Sequence, residues 1–220
     1  MSNKTNLCLG LSGMLAAIVN TSLIILLDTV TPGYNSIQQY VSEFGIIPGM
    51  TSVIVSVWWI CFGLLLVLFA IGLNRSISKS GRAYWLGPLL IALYGLLDSI
   101  GSSIFPMDPA GASETFSGII HTLVSFLGIT AIIISPLAIG LRIKKDPDWK
   151  ALLPFTWLTQ IFFGVIYLIC LGAFSGLLLT GYIGLLQRIF IYGADLWIAV
   201  LSYHTVKMMK KQVVSPARMG

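Results

Sequence analysis

The stretch that decides the fold is TSVIVSVWWICFGLLLVLFAIGL, residues 51–73, which contains no charged side chain. It is longer than the ~20 apolar residues that an α-helix needs to cross a bilayer. Of the 220 residues in the chain, 56% are hydrophobic and only 10% are charged, a composition that excludes an ordinary soluble domain. Spans are predicted at 7–27, 51–73, 84–105, 116–141, 151–179 and 182–206.

We therefore expect an all-α polytopic membrane protein, a bundle of six transmembrane helices that forms a single domain over residues 1–220. With six crossings, the basic residues outside the spans fall on one side of the membrane, which the positive-inside rule makes cytoplasmic. Both termini are then cytoplasmic, and the plasma (inner) membrane is the expected location. This topology accounts for the net charge of +5, so the expected partner is the lipid bilayer and not a nucleic acid. The basic residues are Lys4, Arg75, Lys79, Arg82, Arg142, Lys144, Lys145, Lys150, Lys207, Lys210, Lys211 and Arg218.

The connection after the first span contains the pattern of a short amphipathic helix near residues 36–45. Ser36 is suited to begin it and Gly45 to end it. Its polar edge carries Ser42 and Glu43. We expect this helix to lie on the outer membrane surface or to fold over the bundle, because its apolar stripe has helical spacing. The stripe consists of Ile37, Tyr40, Val41 and Phe44.

Arg188 is the only Lys or Arg inside the predicted spans. A lone arginine at membrane depth costs roughly 2.5–3.5 kcal/mol on insertion scales, so it needs a partner or a task. The sequence offers five candidate partners. They are Asp98, Asp195, His121, Glu43 and Asp108.

Several polar residues fall at similar depth in different helices. At 1.5 Å per residue, Asp98 lies roughly 10 Å inside the third span, and His121 and Arg188 lie close to the same layer. Helical spacing adds Ser102 to the face of Asp98, and Tyr192 and Asp195 to the face of Arg188. We expect a shared polar pocket near the outer end of the bundle. The alternative is a set of interactions that only fixes helix packing.

Asp108 lies between Pro106 and Pro109, so a rigid turn is expected there. Its carboxylate either contributes to the pocket or caps the end of the third helix.

No metal or cofactor is expected. His121 and His204 are roughly 25 Å apart along the bundle, which excludes one haem ligated by both. A zinc site formed by His121 with Asp98, Asp108 and Glu43 is conceivable. The three cysteines are dispersed over three spans and indicate neither a disulfide framework nor a metal site.

Short motifs across the chain resemble the multi-pass membrane family called domain of unknown function 998. They are Tyr40-Val-Ser42-Glu43-Phe44-Gly45, Phe105-Pro106-Met-Asp108, His121, Gln187-Arg188 and Trp197, and the resemblance covers about residues 7–206. The family pattern often has Glu where this chain has Gln187, so no acid role is carried to that position. The resemblance implies a six-span architecture and directs attention to Ser42, Glu43, Asp108, His121 and Arg188. It implies no activity.

Three functions remain open. The first is binding or transport of a small molecule or lipid headgroup in the outer pocket, with Arg188 holding an anionic group or keeping several carboxylates ionised. The second is an intramembrane lipid-modifying enzyme that uses His121 with Asp98 or Asp108 as general acid and base. The third is a structural or accessory subunit. The oligomeric state is not predicted.

Overall fold

A computed structural model describes residues 3–77 and 84–214, so Lys79, Arg82 and Arg218 lie outside the described residues. Within those ranges every regular element is helical, and six helices are long and apolar enough to cross a membrane. The predicted all-α, six-span architecture is confirmed. The elements are α1 Asn3–Val30, α2 Met50–Ser76, α3 Leu86–Leu93, a π-helix Tyr94–Gly101, α4 Ser102–Ile104, α5 Phe116–Ile143, α6 Leu153–Phe174 and α7 Ile183–Val214.

The observed helices differ from the predicted spans by a few residues at their ends, and two of these differences affect the cap end. α1 continues to Val30, so Asp28 lies in its last turn and not in the following loop. α6 ends at Phe174 because the next residues leave the helical region of the backbone. Gly176 has φ of 78° and Leu179 has φ of 50°.

The six spans pack as a closed ring. Each span contacts the next along the chain, and α7 returns to pack against α1. The third span comprises α3, the π-helix and α4, which together run from Leu86 to Ile104. Side chains inside the ring form an apolar core that includes Leu66, Phe69, Phe163 and Trp197, each fully buried. The outer faces of the spans keep large apolar side chains exposed, as expected for helices in contact with lipid.

Residues 31–49, here called the cap segment, fold over one end of the ring, which we call the cap end. The only regular helix within the segment is a short 3-10 helix, Val41–Ile46, so helix begins five residues after Ser36. Val41 and Phe44 are buried against α1 and α2, whereas Ile37 is 45% exposed. Part of the predicted apolar stripe therefore packs on the bundle, because the backbone of 36–40 forms turns that direct Ile37 away.

Candidate functional site

Arg188 forms a bidentate ion pair with Asp28. Its Nε donates to Asp28 Oδ2 at 2.9 Å, and its Nη2 donates to Asp28 Oδ1 at 2.6 Å. The three remaining N–H groups donate to Tyr34 Oη, to the Gln39 carbonyl and to the Gly184 carbonyl, at 2.7, 2.9 and 3.0 Å. All five guanidinium donors are thus used within the protein. We call this arrangement the Arg188 clamp.

The predicted set of partners for Arg188 is wrong, because the hydropathy pattern places Asp28 in a loop. The error has a geometric cause. Thr21 and Asp28 are seven residues apart on α1, and they bind Asp195 and Arg188, which are seven residues apart on the antiparallel α7. An extra helical turn on α1 brings Asp28 onto the same face as Thr21 and opposite Arg188.

Tyr34 completes the clamp from the cap segment. Its ring stacks on Phe44 with centroids 4.1 Å apart, and the Arg188 guanidinium lies 5.4 Å from the same ring centroid. Its hydroxyl donates to the Tyr40 carbonyl at 2.6 Å. Burial raises the pKa of the Tyr34 phenol to about 12, so it remains a neutral donor at physiological pH. The clamp joins α1, the cap segment and α7.

Next to the clamp, a cavity of about 300 Å³ lies beneath the cap segment. Four of the predicted site residues line it: Ser42, Asp98, Ser102 and His121. Arg188 is not among its lining residues. The wall also contains polar and aromatic residues outside the list of predicted site residues. They include Asn20, Tyr40, Trp59, Phe62, Tyr94, Ser99, Thr122, Ser125, Phe174 and Gln187.

Asp98 reaches the cavity from the π-helix. π-Helices are rare and frequently occur at functional sites. Glycines let the neighbouring backbones approach: a Cβ at Gly128 would stand 2.6 Å from the Asp98 backbone nitrogen, and one at Gly95 would stand 2.8 Å from the Gly63 carbonyl oxygen. Tight packing on both α2 and α5 therefore holds the Asp98 backbone in place.

The Asp98 carboxylate has no cationic partner among the described residues. The ion pairs there are Arg188 with Asp28 and Lys211 with Asp148. The Ser125 hydroxyl lies beside Asp98. That hydroxyl also shares a 2.9 Å hydrogen bond with the hydroxyl of Ser102, across the gap between the third span and α5. These groups form a wall of one carboxylate and two hydroxyls.

His121 is held in one tautomer. Its Nδ1 lies 2.9 Å from the Phe105 carbonyl oxygen, which can only accept, so Nδ1 carries the proton in the neutral ring. Nε2 is then the basic nitrogen, and no hydrogen bond from the described residues reaches it. His121 therefore has both a packing role and a free lone pair beside the cavity.

Gln187 connects the cavity to the cap segment. Its Oε1 accepts a hydrogen bond of 2.7 Å from the backbone N–H of Val41. This bond fixes the start of the 3-10 helix that carries Ser42 over the cavity. In the sequence, the motif Gln187-Arg188 points to this region. The Gln187 side chain lines the cavity, whereas the Arg188 side chain forms the clamp.

Glu43 and Asp108 stabilise loops outside the cavity wall. Glu43 accepts from the Tyr40 backbone N–H and the Gln39 amide, both at 2.8 Å. Asp108 accepts from the backbone N–H and the hydroxyl of Thr115, at 2.9 and 2.7 Å, which lowers its pKa. Since Thr115 caps the start of α5, Asp108 supports the start of that helix and does not cap the end of the third span.

Asp195 lies deeper in the bundle and is 2% exposed. Its Oδ2 accepts from Asn20 at 3.0 Å and from Thr21 at 2.8 Å, whereas Oδ1 has no partner in the described residues. Asn20 lines the cavity, so Asp195 contacts the wall from behind. Tyr192 packs against the apolar cluster below the cap segment and does not line the cavity.

The cavity wall contains no Lys or Arg among the residues that the structure describes. Burial raises the pKa of Tyr40, so this phenol is neutral at physiological pH. Among the described residues that line the cavity, Asp98 is the only carboxylate and His121 is the only imidazole. Across residues 3–77 and 84–214, no three His, Cys, Asp or Glu side chains are arranged to hold a metal ion.

The sequence of this protein matches, over residues 14–204, the family described as "Protein of unknown function (DUF998)". The chain belongs to the DUF998 family. No curated protein and no solved structure matches it. Since the match spans all six helices, the cap segment and the cavity of this DUF998 protein lie within the family region. The family description assigns no activity.

Proposed function

We propose that this protein binds a small molecule or a lipid headgroup in the cavity at the cap end. The observation that carries the proposal is a wall with two groups available for a ligand: a carboxylate without a cationic partner, Asp98, and an imidazole nitrogen without a hydrogen bond, Nε2 of His121. Buried polar groups normally find partners within the protein. A carboxylate without a counter-charge and an imidazole nitrogen without a hydrogen bond, both lining one cavity, favour an external partner.

Arg188 is assigned to stability in this proposal and not to the ligand. Its five donors are already bound, so an anionic ligand would have to displace Asp28 or two backbone carbonyls. The clamp keeps the cap segment in place, and the cap segment supplies Ser42 to the wall. Arg188 thereby supports the cavity from outside it.

The binding proposal is tested on purified protein reconstituted in lipid nanodiscs. Native mass spectrometry of the wild type should detect a co-purifying metabolite or a retained lipid. Asp98→Asn and His121→Gln should each reduce that occupancy, because both keep side-chain volume and alter the free groups. Asp195→Asn is the matched control, since it removes another buried carboxylate that does not line the cavity. Equal occupancy in all four proteins would contradict the proposal.

We also propose that the protein lies in the plasma (inner) membrane. Its cap end faces away from the cytoplasm, and both termini are cytoplasmic. Support comes from the described basic residues other than Arg188, which lie at the end opposite the cap segment and include Lys4, Arg75, Arg142 and Lys207. In a variant without native cysteines, a cysteine at Ser113 should react with an impermeant maleimide on intact cells. A cysteine at Lys145 should react only after lysis. The reverse labelling pattern would show that the proposed topology is inverted.

A second candidate is an intramembrane hydrolase or transferase acting on a lipid. The specific observation in its favour is the fixed tautomer of His121, which makes Nε2 a general base for a hydroxyl such as that of Ser125 or Ser102. Asp98 would be the second acid–base group, since Asp108 does not line the cavity. Loss of lipid turnover in His121→Gln with binding retained would favour this candidate. The third possibility, an accessory subunit, explains the Arg188 clamp but not the free groups.

A further inference from the structure

We infer that the ligand of this cavity carries a positively charged ammonium group, either as a free amine or as the headgroup of an amine-bearing lipid. The inference rests on the proposed binding function and specifies its ligand class. Two independent features of the wall support it: the sign of its charge and its aromatic content.

The charged side chains of the wall favour a cation over an anion as the ligand. Asp98 is the acidic side chain of the wall, and no Lys or Arg among the described residues lines it. Arg188, the arginine at the cap end of the described spans, does not compensate Asp98 because it is paired with Asp28. A phosphate or carboxylate ligand would meet a like charge without a cation to offset it. An ammonium group would supply the missing counter-charge and could donate hydrogen bonds to the carboxylate.

The aromatic side chains of the wall provide a second recognition element. Tyr40, Trp59, Phe62, Tyr94 and Phe174 all line the same cavity as Asp98. The face of an aromatic ring attracts a cation within about 6 Å of its centroid, and Trp binds best. Phe62 and Tyr94 already lie edge to face, with ring centroids 6.2 Å apart. Aromatic side chains recognise alkylated ammonium groups, and the carboxylate in the same wall would add a counter-charge.

The free groups fit a small amine with a hydroxyl or ester oxygen nearby. His121 Nε2 is free to accept a hydrogen bond from a ligand hydroxyl. The Gln187 amide nitrogen has no partner among the described residues and is free to donate one to a ligand oxygen. A cavity of about 300 Å³ is at the small end of ligand pockets, so it accommodates a headgroup and not a whole lipid.

The experiment measures binding of radiolabelled choline and ethanolamine to delipidated wild-type protein in detergent. The neutral carbon isostere of choline, dimethylbutanol, and inorganic phosphate serve as competitors. A parallel arm uses nanodiscs that contain phosphatidylethanolamine, phosphatidylcholine or phosphatidylglycerol, with lipid retention read by native mass spectrometry. The first arm tests free amines and the second tests headgroups, so the two sources are distinguished.

We expect an amine or an amine-bearing lipid to bind and the neutral isostere and phosphate to compete poorly. Asp98→Asn should weaken amine binding roughly 10- to 100-fold, the effect of losing a charge-assisted hydrogen bond. Trp59→Leu should weaken it roughly tenfold while leaving any weak binding of the neutral isostere unchanged. The second variant keeps the inference testable if Asp98→Asn fails to fold. Asp195→Asn should bind amines like the wild type.

Three results would overturn the ammonium inference while leaving the cavity a binding site. They are equal competition by dimethylbutanol and choline, preferential binding of phosphate or phosphatidylglycerol, and unaltered amine binding by folded Asp98→Asn and Trp59→Leu. If neither arm detects a retained lipid, metabolite or probe, both the inference and the proposed function are overturned.

Discussion

Replacement of Arg188 by glutamine tests the Arg188 clamp directly. The change removes five donated hydrogen bonds and leaves the Asp28 carboxylate without its counter-charge. Removing one partner of a buried ion pair costs roughly 3–5 kcal/mol. Because the Asp28 side chain is still 16% exposed, water can partly solvate it, and we expect about 3 kcal/mol, the lower end of that range.

The free energy of unfolding can be followed by tryptophan fluorescence during titration with sodium dodecyl sulfate, since the chain contains six tryptophans. Lys207→Gln, an exposed site on the same helix, is the matched control and should change stability by less than about 0.5 kcal/mol. A double-mutant cycle with Asp28→Asn should give a coupling energy above about 1.5 kcal/mol. Wild-type stability in Arg188→Gln, or a coupling energy near zero, would refute the clamp.

Three further predictions concern helix packing, the buried Asp195 and the loop before α5. Gly95→Ala should destabilise the bundle by about 1–3 kcal/mol, because the added Cβ would press on the α2 backbone. Gly164→Ala is the matched control: this position on α6 faces open space, so the change should be neutral or slightly stabilising. Asp195→Asn should unfold close to the wild type because its oxygen keeps both donors, but Asp195→Leu should lose about 2 kcal/mol or more, measured by the same titration. The hydrogen bonds from Thr115 lower the pKa of Asp108, so its support of α5 is present at neutral pH and is lost as the pH falls through that pKa. The protection factor of the Thr115 amide, which is the intrinsic exchange rate divided by the observed rate at the same pH, should therefore fall in acid. In Asp108→Ala the same amide should exchange faster than in the wild type at neutral pH. An exchange rate in Asp108→Ala equal to the wild type would contradict this role.

The sequence determined the membrane architecture because hydropathy is a local, additive property. Residues 51–73 require a bilayer irrespective of their neighbours in space, and five similar stretches do the same. Depth along a helix also follows from counting residues, which is why the sequence alone predicts one layer for Asp98 and His121. Their common cavity is consistent with that count.

Only the tertiary structure decided which polar groups bind each other. The partner of Arg188 depends on where α1 ends and on its antiparallel register with α7, and both are set by packing over the whole ring. The loop positions of Glu43 and Asp108 depend on hydrogen bonds to residues three and seven positions away, which composition does not reveal. The π-helix at Asp98 likewise depends on close contacts with α2 and α5.

The sequence by itself thus determined that this is a six-span membrane protein with costly polar residues near one end. The tertiary structure separated those residues into a closed clamp around Arg188 and an open cavity around Asp98 and His121. The physical reason is that burial of apolar surface depends on residue type, whereas hydrogen bonds and ion pairs depend on distances of about 3 Å that only packed helices define.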